Sequence, residues 1–142
     1  MQYLNNQSKY VVVINKKHSI PTIMNSITHI SYGISKEIND LSNILNYENS
    51  DLGLSAQISE YPFIILETNN SNQLLKLIQT AKDTDGVKLN FFSTSMLGYS
   101  AEDQINATKI ATLAELDFVS VILFGTKEIV DPLTKKYSLI KN

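Results

Sequence analysis

Three short runs of almost uninterrupted apolar residues constrain the fold of this chain most strongly. The runs cover residues 10–14, 61–66 and 118–124, and each is rich in β-branched or aromatic side chains. Runs of this length and type are typical of strands that are buried on both faces of a sheet. A fourth run, 87–92, alternates more between apolar and polar residues, which indicates a strand with one wetter face, nearer the edge of the sheet.

Helical patterns separate these runs. Isoleucine recurs at spacings of three and four from Ile20 to Ile38, which forms one apolar stripe on a helix. Further helices are predicted at about 71–86, 100–114 and 126–132, and a last short strand at 137–140. The order predicts an α/β protein: a three-layer α/β/α sandwich around a mixed, mostly parallel sheet of four to five strands.

The chain has 142 residues, enough for one domain with a core over residues 8–142. A polar insert at 39–60 interrupts the alternation of strands and helices. It contains the turn signal Asp51-Leu-Gly53 and has room for a small hairpin.

Composition excludes several classes of function. The 12 basic residues are all lysines and stand against 14 acids, for a formal net charge of −2. Bidentate contacts between arginine and phosphate are therefore excluded, and no electrostatic feature favours a nucleic-acid or membrane partner. Because the chain has no cysteine, disulfides, thiolate metal sites and cysteine nucleophiles are excluded. The five glycines match no phosphate-binding loop, so we expect no nucleotide cofactor.

Two further patterns bear on location. Residues 1–7 lack the basic and apolar regions of a signal peptide, and no stretch approaches the ~18 apolar residues of a membrane span. The sequence therefore predicts a cytoplasmic protein.

The segments 10–15, 21–33 and 118–134 together resemble the opening and the ending of the type II peptidyl-tRNA hydrolase fold, found in archaeal and eukaryotic-type enzymes. The chain is more similar still to an uncharacterised bacterial family with a domain of unknown function and the same fold. That similarity includes the pair Asn25-x-x-x-His29, the polar insert and the strand at 116–125. The resemblance extends from about Lys9 to Lys141, and it implies the hydrolase-like fold and a homodimer.

The sequence departs from the hydrolases at their charged catalytic positions. Thr22 stands about where the family carries a lysine thought to be catalytic, and residues 93–98 stand in place of its Asp-Ala-Gly-Arg-Thr motif. No catalytic residue is therefore carried over, and peptidyl-tRNA hydrolysis is disfavoured.

The first candidate site lies on the first helix. Asn25 and His29 are four residues apart and share one face with Thr22, roughly opposite the isoleucine stripe, with Ser26 to one side. This face has the character of a ligand-binding or subunit-contact surface in which His29 forms hydrogen bonds or carries a proton. The alternative is a solvated polar helix face.

Two loops that follow strands supply the other candidates. The strand at 87–92 is followed by the hydroxyl residues Ser93, Thr94 and Ser95. These hydroxyls form a binding site for a small polar ligand, or the segment is a simple turn before the next helix. The weaker candidates are Lys16, Lys17 and His18, which form an anion-contacting loop or a solvated turn. Two histidines without clustered carboxylates predict no metal site.

Three functions follow from these observations. The preferred one is a small-ligand-binding or interaction protein that lacks the hydrolase motifs. The second is a hydrolase or transferase that uses His29 with Asn25 and the Ser93–Ser95 loop, since a serine nucleophile needs a base within reach. The third is a residual peptidyl-tRNA hydrolase with a rebuilt site.

Overall fold

The structure of the protein is a computed structural model that describes residues 7–38, 43–98 and 100–141. The predicted alternation of strands and helices is present, and the chain is of the α/β class. In chain order the elements are β1 (Ser8–Asn15), α1 (Ile20–Ile38), β2 (Ile44–Asn49), β3 (Leu54–Ser59), β4 (Phe63–Thr68), α2 (Ser71–Lys82), β5 (Lys88–Ser93), α3 (Ala101–Ile110), β6 (Phe118–Thr126), α4 (Lys127–Thr134) and β7 (Ser138–Leu139).

The main sheet has five strands in the order β5-β6-β1-β4-β7. The most apolar strands, β1 and β6, lie inside it, and β5 lies at an edge, as its alternation predicts. The expectation of a mostly parallel sheet is wrong, because only the β1–β4 pair among these strands is parallel. Ser93 at the end of β5 pairs with Phe118 at the start of β6, so the chain enters β6 at the end of the sheet where it left β5. The intervening helix α3 does not cross the sheet, and the two strands are antiparallel.

Helices cover both faces of the sheet. On one face, Ile23, Ile30 and Ile34 of α1 pack against a cluster that includes Val12 and Ile122. On the other face, α2 and α4 pack against the alternate residues of the same strands, through side chains that include Leu74, Leu77, Val130, Val11 and Val13. Since successive side chains of a strand point to opposite faces, one buried strand supplies both clusters.

Three helix ends differ from the prediction. Helix α2 ends at Lys82 rather than near Gly86, because the N–H of Asp83 donates to the Thr80 carbonyl and closes the helix with a tighter turn. Helix α3 ends at Ile110 rather than near 114, because the backbone is extended at Ala111 and Thr112 forms a local turn with Glu115. Helix α4 continues past Pro132 to Thr134. The missing N–H of Pro132 falls in the last turn of a short helix, where it removes only one hydrogen bond.

The part of the insert that the structure describes is a hairpin of β2 and β3. Its turn places Gly53 at φ 66°, in the left-handed region that glycine adopts at little cost. Residues 39–42 of the predicted insert, like residues 1–6, lie outside the described part of the chain. Among the helices described, none has both the length and the apolar character needed to cross a membrane.

Candidate functional site

A cleft of about 850 Å³ opens between α1 and α3, over β5. Three elements and one 3-10 turn, Thr94–Met96, contribute to its walls. The lining residues are Asn25, His29 and Ile30 from α1, Asn90, Phe91 and Phe92 from β5, Met96, Leu97 and Gly98 from the turn and the loop after it, and Gln104, Ile105, Thr108 and Lys109 from α3.

The first wall of the cleft is the flank of α1 that carries Asn25 and His29. Both residues are exposed, and the ring of His29 lies 6.1 Å from that of Phe92. Two predicted candidates therefore face one cleft. Ser26 differs from the expectation of an outward-pointing polar set, because it is fully buried and its hydroxyl lies 2.8 Å from that of Ser120 on β6.

Asn90 on the floor of the cleft joins α1 to β5. Its Nδ2 donates to the carbonyl of Ile30 at 3.1 Å, and its Oδ1 accepts from the backbone N–H of Phe91 at 3.0 Å. A Cβ at Gly33 would lie 2.8 Å from this Nδ2, so the glycine leaves room for the side chain. The amide of Asn90 is thus largely committed to holding the floor in place.

The opposite wall, α3, is held mainly by polar contacts. Ser100 caps the helix by accepting from the N–H of Asp103 at 3.1 Å, and Gln104 Nε2 donates to the Gly98 carbonyl at 3.2 Å. No residue of α3 is buried, and Ile105 is 66% exposed although it lines the cleft. An apolar side chain at the mouth of a cleft is available to contact a bound molecule.

The predicted hydroxyls, those of Ser93, Thr94 and Ser95, lie at the end of β5 and in the turn after it, and none of them lines the cleft. Thr108 donates to the Gln104 carbonyl at 2.8 Å, so it accepts from Ser95, whose oxygen lies 2.8 Å away. Ser95 in turn accepts from Ser93 at 2.5 Å. The hydroxyl protons of Ser93, Ser95 and Thr108 are therefore each directed at another protein oxygen, and none of them is directed at His29. Thr94 is tied to this region through its backbone N–H, which donates to the Asp117 carbonyl at 2.9 Å.

The remaining candidates lie away from the cleft. Thr22 belongs to the start of α1, where its hydroxyl accepts from Ser19 at 2.9 Å. His18 Nε2 lies 3.2 Å from Asp117 Oδ1, and Lys16 Nζ lies 3.7 Å from Glu67 Oε1. The backbone N–H of Lys17 donates to the side chain of Asn15 at 3.1 Å. The structure thus joins Asn25 and His29 in one site and places Thr22 and the 16–18 loop elsewhere.

Sequence reasoning missed the residues that α3 contributes, among them Thr108 and Lys109. The available signal was the weak apolar pattern of this helix, which indicates a helix that does not pack into the core. Within the described residues, no group of three or more His, Asp or Glu side chains is placed to hold a metal ion.

Fold and site together define an α/β protein with a five-stranded mixed sheet and a ligand-sized cleft at one edge. The chain belongs to DUF2000, a family of proteins of unknown function, whose model matches residues 8–141. It is similar in structure to a protein of unknown function from Agrobacterium tumefaciens strain C58. That similarity has a TM-score of 0.79 at 19% sequence identity, over 95% of this chain and 98% of the other. No curated protein matches the sequence.

Proposed function

We propose that this protein binds a small molecule in the cleft between α1 and α3. The cleft itself carries the proposal: its volume of about 850 Å³ falls in the range of small-molecule sites, roughly 300–1,000 Å³. It also has the usual composition of such sites, in which apolar side chains such as Phe92 and Met96 surround a few polar groups such as Asn25 and His29.

Binding is favoured over hydrolysis by the state of the hydroxyl groups. A serine nucleophile needs a base that accepts its proton. The protons of Ser93 and Ser95 are directed at Ser95 and Thr108, and His29 forms no hydrogen bond with these groups in the described part of the chain. The proposed hydrolase or transferase therefore has less support than a binding protein.

We further propose that the fold is that of the type II peptidyl-tRNA hydrolases. The mixed sheet covered by helices on both faces is compatible with it, and the resemblance along the chain supports it. The stretch that stands in place of the hydrolase motif includes Met96 and Gly98, which line the cleft. In this proposal, the region that corresponds to the catalytic motif of the hydrolases serves to bind the ligand. The homodimer and the cytoplasmic location stay predictions.

A fragment screen by ligand-observed NMR tests the proposed function. The blocking variant is Asn25→Trp, whose indole would fill the cleft from the exposed flank of α1. Its control is Met24→Trp, because Met24 is 62% exposed on the same helix and does not line the cleft. We expect fragments to bind the wild type and Met24→Trp but not Asn25→Trp. Fragments that bind all three proteins equally, or none of them, would contradict the proposal.

A further inference from the structure

The charge in the cleft between α1 and α3 is of one sign. Lys109 is the charged residue among the lining side chains, and no Asp or Glu in the described part of the chain lines the cleft. Lys109 also forms no ion pair with another described residue. Its ammonium group is therefore available to an occupant of the cleft.

Three lining side chains, Asn25, His29 and Lys109, keep hydrogen-bond donors that no other described residue accepts. Thr108 and the amide nitrogens of Asn90 and Gln104 already donate within the protein. Asn25 and His29, in contrast, form no hydrogen bond through their side chains to another described residue. The cleft thus offers an ammonium on one wall and an amide and an imidazole on the other, a set that suits a negatively charged group.

The rest of the lining is apolar. Phe92 and Met96 lie on the floor side, and Ile105 contributes an apolar surface that is 66% exposed. A molecule that covers Ile105 would remove apolar surface from water, at about 25 cal/mol per Å². Such a lining suits a molecule that is apolar over most of its surface and charged at one end.

We infer that the ligand of this cleft is a small amphipathic carboxylic acid, an inference that rests on the proposed function. The carboxylate of the ligand contacts Lys109 on α3, and it accepts hydrogen bonds from Asn25 and His29 on the facing wall. The apolar body of the ligand lies against Phe92 and Ile105. A single lysine balances a single negative charge, which favours a carboxylate over a doubly charged phosphate monoester.

The test compares an acid with its neutral amide. Phenylbutyrate and phenylbutyramide share the same apolar body, and their affinities are measured by NMR chemical-shift titration at neutral pH. We expect the acid to bind about fivefold more tightly, the effect of one partly exposed ion pair. The preference should vanish in Lys109→Gln, persist in Lys109→Arg, and persist in Lys135→Gln, whose lysine lies at the end of α4, outside the cleft.

Each outcome decides the inference. Equal affinities of acid and amide for the wild type would overturn the carboxylate class while leaving small-molecule binding in place. A preference that survives in Lys109→Gln would overturn the role of the lysine. If neither probe shifts the signals of cleft residues, the ligand class is wrong. The fragment screen with Asn25→Trp then decides the proposed function separately.

Discussion

The hydroxyl oxygens of Ser26 and Ser120 lie 2.8 Å apart, and both residues are completely buried where α1 packs on β6. Ser26 also donates to the Ile23 carbonyl at 2.7 Å. The proton between the two serines therefore comes from Ser120. The two residues depend on each other unequally, since Ser120 needs Ser26 as acceptor whereas Ser26 keeps its own acceptor without Ser120.

This inequality predicts the result of alanine substitutions. We expect Ser26→Ala to lower the free energy of unfolding by about 2 kcal/mol, because it leaves the buried Ser120 hydroxyl without an acceptor. Ser120→Ala should cost about 1 kcal/mol, and the double variant less than Ser26→Ala alone, because it removes the hydroxyl that Ser26→Ala leaves unsatisfied. Urea unfolding measures these values, with Ser35→Ala, an exposed serine of the same helix, as the control. Equal costs for the two single variants would contradict the assigned direction of the bond.

We expect the effect of Gly33→Ala on the free energy of unfolding to depend on Asn90. In an exposed helix position, Gly→Ala normally stabilises by about 1 kcal/mol. Here the new Cβ would lie 2.8 Å from Asn90 Nδ2 and displace the hydrogen bond to Ile30, so we expect Gly33→Ala to change the stability by less than about 0.5 kcal/mol. In an Asn90→Ala background the same change should stabilise by about 1 kcal/mol. Thermal or urea unfolding of the four proteins measures the difference, and additive effects would refute the contact.

We expect the hydrogen-bonded hydroxyls of Ser93, Ser95 and Thr108 to contribute to the local stability of α3. Thr108→Val removes the acceptor of Ser95, at a cost of about 1–2 kcal/mol. Because no residue of α3 is buried, we expect the loss to accelerate amide hydrogen exchange in residues 101–110 more than in the central strands. Thr108→Ser keeps the hydroxyl and should restore slow exchange. If Thr108→Val accelerated amide exchange equally along the whole protein, the hydrogen-bonded hydroxyls would not act locally on α3.

Tyrosine ionisation predicts a loss of stability at high pH. Burial raises the pKa of Tyr137 from 10.0 to about 12. Burial, and to a lesser extent Tyr61, also raises the pKa of Tyr10. The folded state favours the neutral phenols, so their contribution is complete below pH 10 and is lost as the pH rises towards 12.

This expectation is checked by unfolding experiments at increasing pH, together with the ultraviolet absorbance of tyrosinate. Tyr137→Phe should reduce the slope of stability against pH above pH 10. It should also cost about 1 kcal/mol at neutral pH through the lost hydrogen bond to the Gln73 carbonyl. Tyr32→Phe, at a position that is 85% exposed, is the control. An unchanged slope in Tyr137→Phe would count against the raised pKa.

The parts of the fold that were predictable from sequence are those governed by local patterns. Apolar runs located β1, β4 and β6, and the isoleucine stripe located α1. The direction of β6 was not predictable, because a β-α-β order usually implies a crossover, whereas α3 carries too few apolar residues to pack on the sheet.

The candidate site was predictable only from one side. The four-residue spacing brings Asn25 and His29 to one flank of α1, but the position of α3 relative to α1 depends on tertiary contacts such as that of Ser95 with Thr108. The burial of Ser26 depends on Ser120, which is far away in sequence. Ser26 lies on the buried face of α1 beside Ile23 and Ile30, and its bond to Ser120 explains a polar residue there.

The central position of β1 has a consequence for synthesis on the ribosome. Its strand neighbours are β4, from the middle of the chain, and β6, whose residue Thr126 pairs with Ser8. Strand β1 leaves the ribosome before the other described strands, and it acquires its second neighbour only once the chain has been translated through Thr126. Contacts so distant in sequence form slowly. Until β6 has been translated, the apolar residues of β1 lack one of their strand neighbours and are exposed to other nascent chains and to chaperones.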